Sequence, residues 1–429
     1  MQKRRDLILT GFALFAMLFG AGNLIFPPEV GLNTGKNWIF SALGFITTGA
    51  GLPLTGILAA SIGGRQDAFA TKVSPLFNKI FNAAMVLSIG PLLALPRTGA
   101  TSFEILFSGE NSGNVLYKIL FLLIFFGVTF LFSIKASEVV DRIGKILTPI
   151  LIIMLIIIIF KGVISPLGEI SLAKEPHSFK YGFINGYQTM DTLAAIIFSS
   201  IIIKSIREKR NLDSKEEFSF LLKSSIIAVG ALAVVYGGLI YIGATSESIL
   251  GNSSKSGPVL LSLIVNKLLG NIGKIILSLC VVGACLTTSI GLATSTSEYF
   301  SRNFKVSYMS VLIITTLVSL FFSYFGVGAI VKISVPILVF IYPIAIILII
   351  LNLFKKKIKN DYIYKGCVIG AGIVSFYETI KAMGLKNEAL DNIYSKIPFA
   401  DLGLGWLLPA IGVGLLFSLI KNRGDEKND

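Results

Sequence analysis

An apolar segment near the start of the chain is interrupted by residues that disfavour a helix. The sequence Gly-Ala-Gly-Asn at 20–23 lies about midway between Leu7 and Leu32, and two prolines follow at 27 and 28. Glycine and proline break helices and leave backbone N–H and C=O groups without partners. Such backbone is tolerated at the centre of a membrane only where it faces protein or a polar cavity. The pattern therefore predicts a binding site on a broken helix, and the alternative is a proline kink with glycines for close packing.

A second interruption, Asn185–Thr192 (NGYQTMDT), lies in the sixth apolar segment. The sixth segment starts five segments after the first. Because five is an odd number, the two interrupted segments would cross the membrane in opposite directions. Two repeats of inverted topology give this relation, with half-helix N-termini facing a substrate carboxylate and free carbonyls coordinating cations. Asp191 lies in the interruption, where a mid-membrane carboxylate must face a bundle interior or a cavity. Its candidate roles are capping of the half-helix that follows, binding of a substrate ammonium, and binding of a cation or proton.

Small and hydroxyl-bearing residues form a stripe along one face of the eighth apolar segment. Ala284, Thr287, Thr288, Gly291 and Ser295 follow the helical spacing i, i+3, i+4, i+7 and i+11, which places them on one side of a helix. Hydroxyl and carbonyl oxygens are hard ligands that suit a small cation such as sodium. The alternative is that the hydroxyls bond back to their own helix and the small residues serve packing.

Composition indicates that these features belong to an all-α membrane protein. Hydrophobic residues make up 54% and charged residues 14% of the 429 residues, whereas a soluble globular chain is about 25% charged. Apolar segments of about 20 residues, the length that crosses a bilayer as a helix, recur along the chain. We predict twelve transmembrane helices near 7–32, 38–61, 76–107, 115–134, 142–162, 178–206, 220–244, 270–303, 306–325, 329–354, 364–384 and 402–420. Residues 259–269 are too short to cross and predict a surface or re-entrant helix.

The distribution of basic residues predicts the orientation in the membrane. If the N-terminus is cytoplasmic, 25 of the 38 Lys and Arg residues fall on the cytoplasmic side, as the positive-inside rule requires. We therefore expect both termini in the cytoplasm and membrane lipid as the surroundings. The rule also accounts for the net charge of +14, so no nucleic-acid partner is expected. Cys280, Cys285 and Cys367 lie in apolar segments without CxxC spacing, and His177 is the only histidine, so neither a disulfide framework nor a zinc site is predicted.

Five motifs occur in a fixed order along the whole chain. They are FGAGNLIFPPEVGL, GPLLALPRTGATSFE, NGYQTMDTLA, ACLTTSIGL and ISVPILVFIYP. Together they resemble the bacterial branched-chain amino acid:cation symporter family, and GAGN and ACLTTSI are more distantly similar to sodium-coupled amino acid transporters with the LeuT fold. The resemblance implies a 5+5 inverted repeat followed by two extra C-terminal helices. The implied division is 1–165, 176–354 and 362–422, with a cytoplasmic tail at 423–429.

The resemblance also implies which residues bind ligands. The expected sodium site lies between the first and eighth helices, with backbone carbonyls of Ala16, Phe19 and Ala284 and the hydroxyls of Thr287 and Thr288 as ligands. The expected substrate-binding residues are Gly20, Ala21, Gly22 and Asn23 on the first helix and Gly186, Tyr187, Gln188 and Asp191 on the sixth. Backbone N–H groups of the first set would receive the substrate carboxylate. Asn23 also matches a ligand of a second sodium in the wider fold, and the presence of that site stays open.

Arg97 on the third helix is a further candidate, because the arginine that some relatives place in the first helix is missing here. It lies 18 residues beyond Lys79 and hence toward the outer side. One hypothesis is an outer gate that Arg97 forms with Asp401, Glu104 or Glu29. The alternative is an arginine that extends its side chain to the outer interface.

The implied function is import of L-leucine, L-isoleucine and L-valine across the bacterial cell membrane by sodium symport with alternating access. Proton coupling is the alternative within the same fold. A built-in cation in place of sodium would require a lysine in the fifth helix, but residues 146–159 contain no basic residue, which favours sodium, while Asp191 keeps proton coupling open. A passive channel and a polytopic membrane enzyme are the alternatives from other classes. An enzyme would show clustered acids, histidines or a nucleophile, so we expect a transporter and not an enzyme.

Overall fold

Helices account for the regular structure of the part of the chain that the computed structural model describes. That part comprises residues 2–63, 68–108, 114–134, 138–197, 199, 203, 214–249, 256–358, 360–385 and 387–420, and it contains no strand. The tail predicted at 423–429 and the end of the predicted sixth span, beyond residue 203, lie outside the described residues. The prediction of an all-α protein is confirmed for the described chain.

Several spans predicted from the first half of the chain consist of two helices each. The helices are α1 (Gln2–Leu18), α2 (Ala21–Thr34), α3 (Trp38–Ile46), α4 (Leu52–Gly63), α5 (Pro75–Leu87), α6 (Ala94–Leu106), α7 (Val115–Ile134) and α8 (Glu138–Ile164). A π-helical turn, Thr47–Gly51, joins α3 to α4. A second one, Ser88–Leu92, follows α5. The first and third predicted spans are therefore interrupted helices, and the second is irregular at its centre.

The second half of the chain adds a similar set of helices. They are α9 (Ser178–Tyr187), α10 (191–197), α11 (Ser214–Ala244), α12 (Gly257–Phe304), α13 (Tyr308–Tyr324), α14 (Val327–Leu353), α15 (Tyr362–Ala382), α16 (Glu388–Ser395) and α17 (Leu407–Ser418). Gly270 has a φ of 71° inside α12 and separates its first 13 residues, where the sequence predicts a short helix, from the part predicted to span the membrane. The short helix α16 is not anticipated by the sequence analysis.

The apolar helices make this a multi-pass membrane protein. Within the described chain, six helical stretches are long and apolar enough to cross a membrane: Ala21–Ile62, Pro75–Leu106, Val115–Ile134, Lys215–Ala244, Gly257–Phe304 and Val327–Leu353. Shorter apolar helices occupy Pro149–Ile164, Tyr308–Tyr324 and Leu407–Ser418. The number of twelve spans, the division into repeats and the orientation of the termini stay predictions.

Close packing between α2 and α11 fixes the position of the first interrupted helix. A methyl group on Gly31 of α2 would overlap the carbonyl oxygen of Ile240 on α11, and one on Gly243 would overlap the carbonyl of Pro28. Helices in membranes associate closely where small residues let their backbones meet. This contact holds the start of α2 beside Tyr236 in the middle of α11.

Candidate functional site

The first break lies between α1 and α2, at Phe19 and Gly20. Gly20 is extended, with φ −122° and ψ −170°. Its N–H donates to Oδ1 of Asn23 at 3.3 Å, and the N–H of Asn23 donates to the carbonyl of Gly20 at 3.2 Å. Nδ2 of Asn23 also donates to the carbonyl of Leu18 at 3.0 Å. One buried asparagine side chain therefore connects the end of α1 to the start of α2.

This break is shorter than the sequence predicts, because Ala21, Gly22 and Asn23 already belong to the first turn of α2. The difference matters for the chemistry. The first N–H groups of a helix have no partner inside it, and the helix dipole adds partial positive charge there. The start of α2 is thus suited to an anionic group such as a carboxylate.

The second break lies between α9 and α10, at Gln188, Thr189 and Met190. Met190 has a φ of 61°, a left-handed conformation that residues other than glycine rarely adopt. The Thr189 hydroxyl donates to the carbonyl of Gly186 at 3.0 Å, which closes the last turn of α9. Asp191 is the first residue of α10. The interruption predicted over Asn185–Thr192 is therefore present, with its irregular part confined to three residues.

The two breaks meet at one point in the bundle. Nδ2 of Asn23 donates to Oδ2 of Asp191 at 2.7 Å and lies 2.5 Å from the hydroxyl of Tyr236. A Cβ atom placed on Gly22 would lie 3.3 Å from the Cα of Thr189 and 3.4 Å from the carbonyl oxygen of Gln188. Asp191 is only 7% exposed. The carboxylate that the sequence places at mid-membrane thus bridges the two interrupted helices.

Aromatic and polar side chains surround the second break. The rings of Tyr187 and Tyr342 stack with their centroids 4.2 Å apart, and the hydroxyl of Ser334 donates to Oε1 of Gln188 at 2.6 Å. Within the described residues, Nε2 of Gln188 and the hydroxyl of Tyr187 are buried without a hydrogen-bond partner. Buried polar atoms are nearly always paired, so these two atoms are available to a ligand.

Arg97 also reaches the meeting point of the two breaks. Its side chain is 3% exposed, its Nη1 donates to the carbonyl of Gln188 at 2.6 Å, and its Cζ lies 5.0 Å from the centre of the Phe26 ring. A Cβ atom on Gly22 would lie 3.0 Å from its Nη2. The guanidinium therefore sits beside the first turn of α2 and the end of α9.

The acids considered as gate partners of Arg97 have other neighbours. Glu104 accepts hydrogen bonds from the hydroxyl of Ser256 at 2.6 Å and from the N–H of Val327 at 2.8 Å. Asp401 lies 3.9 Å from Nε2 of His177. Glu29 faces Gly257, where an added Cβ would lie 3.2 Å from its carboxylate. In the described part of the chain, Arg97 forms no ion pair with any of the three.

A third break, in the span formed by α5 and α6, places Arg97 at this meeting point, and it was not predicted from the sequence. Gly90 leaves the helical region with ψ −122°, and Pro91 has no N–H to donate to the preceding turn. A Cβ on Gly90 would overlap the hydroxyl of Thr296, which is buried and has no hydrogen-bond partner within the described residues. The Gly90-Pro91 pair is the feature of the sequence that could have indicated this break.

The residues expected to bind sodium lie on α1 and α12. Phe19 is buried and stacks on Phe15 with centroids 5.1 Å apart. The hydroxyl of Thr287 donates to the carbonyl of Ala284 in its own helix at 2.9 Å. Ala16, Ala284, Thr287 and Thr288 are half-buried. No hydrogen bond in the described chain links the α1 residues to the α12 residues, so the structure does not join the two halves of this set directly.

Interrupted helices that meet at a buried polar site are a common feature of secondary transporters, and solved structures with a similar fold are known. The fold resembles MhsT in complex with L-phenylalanine, with a TM-score of 0.58 and 17% identity over 96% of this chain and 97% of that one. It also resembles Mhp1, a nucleobase-cation-symport-1 family transporter, in a closed conformation with bromovinylhydantoin bound. That match has a TM-score of 0.61 and 14% identity over 98% of this chain and 95% of Mhp1. The LeuT-like fold is therefore confirmed.

Comparison of sequences gives the family. Residues 3–424 match the family described as Branched-chain amino acid transport protein. The chain is 42% identical to the branched-chain amino acid permease BraB of Bacillus subtilis, over 99% of this chain and 98% of BraB. It is 34% identical to the branched-chain amino acid transport system 2 carrier protein of Pseudomonas aeruginosa, over 97% of this chain and 96% of that protein. The chain belongs to the branched-chain amino acid transport protein family, and it is a transporter and not an enzyme.

Proposed function

We propose that this transporter imports L-leucine, L-isoleucine and L-valine together with sodium, by alternating access. The observation that carries the proposal is the meeting of two broken helices, joined by the 2.7 Å hydrogen bond from Asn23 to Asp191. The relatives named as branched-chain amino acid permeases support this substrate class.

The substrate's charged groups match the two breaks. Of the residues Gly20 to Asn23, Gly20 and Asn23 use their N–H groups within the break. The N–H groups of Ala21 and Gly22 at the start of α2 receive the carboxylate, because a helix N-terminus favours an anion. At the second break (Gly186 to Asp191), the carboxylate of Asp191 attracts the ammonium group. The aliphatic side chain occupies a pocket lined by the third and eighth spans. Since one methylene changes binding by only about 1–3 kcal/mol, the three substrates share the site.

Sodium binds beside the substrate, between α1 and α12. Carbonyls of Ala16, Phe19 and Ala284 and hydroxyls of Thr287 and Thr288 supply uncharged oxygen ligands, which suit a small monovalent cation. Both threonines are half-buried, and a hydroxyl oxygen that donates its hydrogen, as that of Thr287 does to Ala284, keeps lone pairs for an ion. Because α1 carries no hydrogen bond to Thr287 or Thr288 within the described chain, the ion itself would join the two helices. That is the physical basis for coupling ion binding to a change in conformation.

Alternating access follows from the movement of one helix bundle against the other around the fixed site. We infer that both termini are cytoplasmic and that the substrate moves inward. Import of a neutral zwitterion with one sodium transfers one positive charge. A membrane potential contributes about 2.3 kcal/mol per 100 mV to such a step.

The test uses purified full-length protein in proteoliposomes that carry a potassium-diffusion potential, negative inside. We expect uptake of radiolabelled leucine only with external sodium, without a proton gradient, and competed by isoleucine and valine. The membrane carboxylate Asp191 makes proton symport the second candidate. Uptake that ignores sodium but requires external acid would establish that candidate instead. Faster uptake of labelled leucine when unlabelled leucine is present inside the vesicles (trans-stimulation) separates a transporter from a passive channel.

A further inference from the structure

Arg97 carries a buried positive charge at the meeting point of the two breaks. Neither role considered from the sequence, an outer gate or extension to the outer interface, matches that position. The side chain is 3% exposed and donates one hydrogen bond, to the carbonyl of Gln188 at 2.6 Å. A guanidinium has five N–H donors. Burying such a cation in a membrane protein is costly unless it is paired. Asp191 attracts Arg97 electrostatically, but among the described residues Arg97 forms no salt bridge and donates only the hydrogen bond to Gln188. Most of its N–H donors are therefore available to another group.

The unused part of the guanidinium faces the start of α2. Nη2 of Arg97 lies 3.0 Å from the position that a Cβ on Gly22 would occupy. Gly22 is in the first turn of α2, where the free N–H groups point. The guanidinium of Arg97 therefore lies beside the N-terminal turn of α2, and both attract a negative charge.

We propose that Arg97 binds the carboxylate of the amino-acid substrate. Planar N–H pairs of arginine match a carboxylate with two parallel hydrogen bonds, while the carbonyl of Gln188 keeps one donor in place. Asp191, on the other interrupted helix, then faces the ammonium end, so the two buried charges correspond to the two poles of a zwitterion. The assignment rests on the proposed function, since it presumes an amino acid at this site.

A purely structural Arg97 gives a different expectation. If Arg97 only fastens α6 to the end of α9, its replacement would lower the affinity for all ligands equally, because each ligand would bind to the same distorted site. An arginine that binds the carboxylate affects only ligands that carry one. The ratio of two affinities therefore separates the two roles.

The experiment compares leucine with leucinamide, which keeps the side chain and the ammonium group but lacks the carboxylate. Binding of each to purified full-length protein is measured by calorimetric titration at about pH 6.5, where the α-amino group is charged. In the wild type, leucine should bind more tightly than leucinamide. Arg97→Gln should weaken leucine binding between about 10-fold and 100-fold, the range for a lost hydrogen bond to a charged group, and should leave leucinamide within about 2-fold. Lys332→Gln, which removes an exposed cation from α14, is the control and should leave both affinities unchanged.

The ratio of the leucine and leucinamide affinities decides between the two roles of Arg97. An unchanged leucine-to-leucinamide ratio in Arg97→Gln overturns the assignment, whatever happens to the absolute affinities. If Arg97→Gln does not fold, Arg97→Lys gives the same decision, because lysine keeps the charge but cannot make two parallel bonds. It should lower the ratio at least about 3-fold, and an unchanged ratio again overturns the assignment. Failure of the wild type to bind leucine at all would instead overturn the proposed function.

Discussion

The hydrogen bond between Asn23 and Asp191 is the contact that joins the two broken helices, and its energetic contribution can be measured. We consider the single variants Asn23→Ala and Asp191→Ala and the double variant. If the two side chains stabilise the fold through each other, the double variant should be less destabilised than the sum of the single ones.

The structure allows the size of this coupling to be worked out. Hydrogen bonds between membrane helices contribute about 0.6 kcal/mol on average and up to about 1.7 kcal/mol, whereas bonds to charged groups contribute about 1.5–3 kcal/mol. The bond from Asn23 is short, at 2.7 Å, and its acceptor is a buried carboxylate. Nδ2 has two hydrogens but three acceptors within reach, namely Leu18, Asp191 and Tyr236, so the bond to Asp191 is partly shared. We therefore expect a coupling of about 1–2 kcal/mol, between the two ranges.

The assay is unfolding of purified protein by titration with sodium dodecyl sulfate in mixed micelles. Far-UV circular dichroism and tryptophan fluorescence report the transition. The fluorescence comes from Trp38 and from Trp406, which is 1% exposed. The control is Asn33→Ala on the same helix, since Asn33 donates to Glu29 and Tyr181 and not to Asp191. A coupling below about 0.3 kcal/mol, within the error of additivity, would refute the reasoning. An equal coupling of Asp191 to Asn33 would refute it as well.

Two other variants test the sodium residues and the third break. Thr287→Ala combined with Thr288→Ala should raise the sodium concentration for half-maximal leucine uptake about 10-fold or more, because two oxygen ligands are lost, and Ser289→Ala is the matched control because its hydroxyl bonds to Thr129 at 2.9 Å. An equal effect of Ser289→Ala would place the sodium site elsewhere. Gly90→Ala should destabilise the protein by about 1–3 kcal/mol through overpacking, and adding Thr296→Ala should restore most of it, because the atoms that an alanine at 90 would overlap belong to Thr296. Lack of recovery in the double variant would show that another contact requires the glycine.

The sequence was sufficient to predict the two breaks that form the proposed substrate site. Glycines and polar residues inside one apolar segment are also compatible with a simple kink. The same pattern in a second span, predicted to run in the opposite direction, favours a binding site instead. The inverted-repeat pattern also predicts that the two breaks share one site. It does not predict the packing of α2 against α11 at Gly31 and Gly243. Pairing of Asn23 with Asp191 joins residues 168 positions apart, which no local pattern indicates.

The location of Arg97 illustrates a different limit. Counting 18 residues from Lys79 assumes one regular helix, and an arginine near the outer end of such a helix normally extends to the interface. The interruption at Ser88–Leu92 removes that assumption, because residues after the break follow a new path. A Gly-Pro pair in a single span is common as a kink, so the sequence alone could not distinguish a kink from a third break.

The charges at the meeting point bear on why the site would select a neutral amino acid. Arg97 and Asp191 are both buried there, one positive and one negative, so together they add no net charge. A zwitterionic amino acid would place its carboxylate near Arg97 and its ammonium near Asp191, so the net charge of the site would stay at zero. An amino acid with a charged side chain would bring an additional charge without a partner, at a cost of about 2.5–3.5 kcal/mol on membrane insertion scales. That cost is at or above the upper end of what one methylene of apolar contact contributes, about 1–3 kcal/mol. Exclusion of amino acids with charged side chains would therefore depend on the charges at the two breaks. The choice among aliphatic side chains would depend on the shape of the pocket.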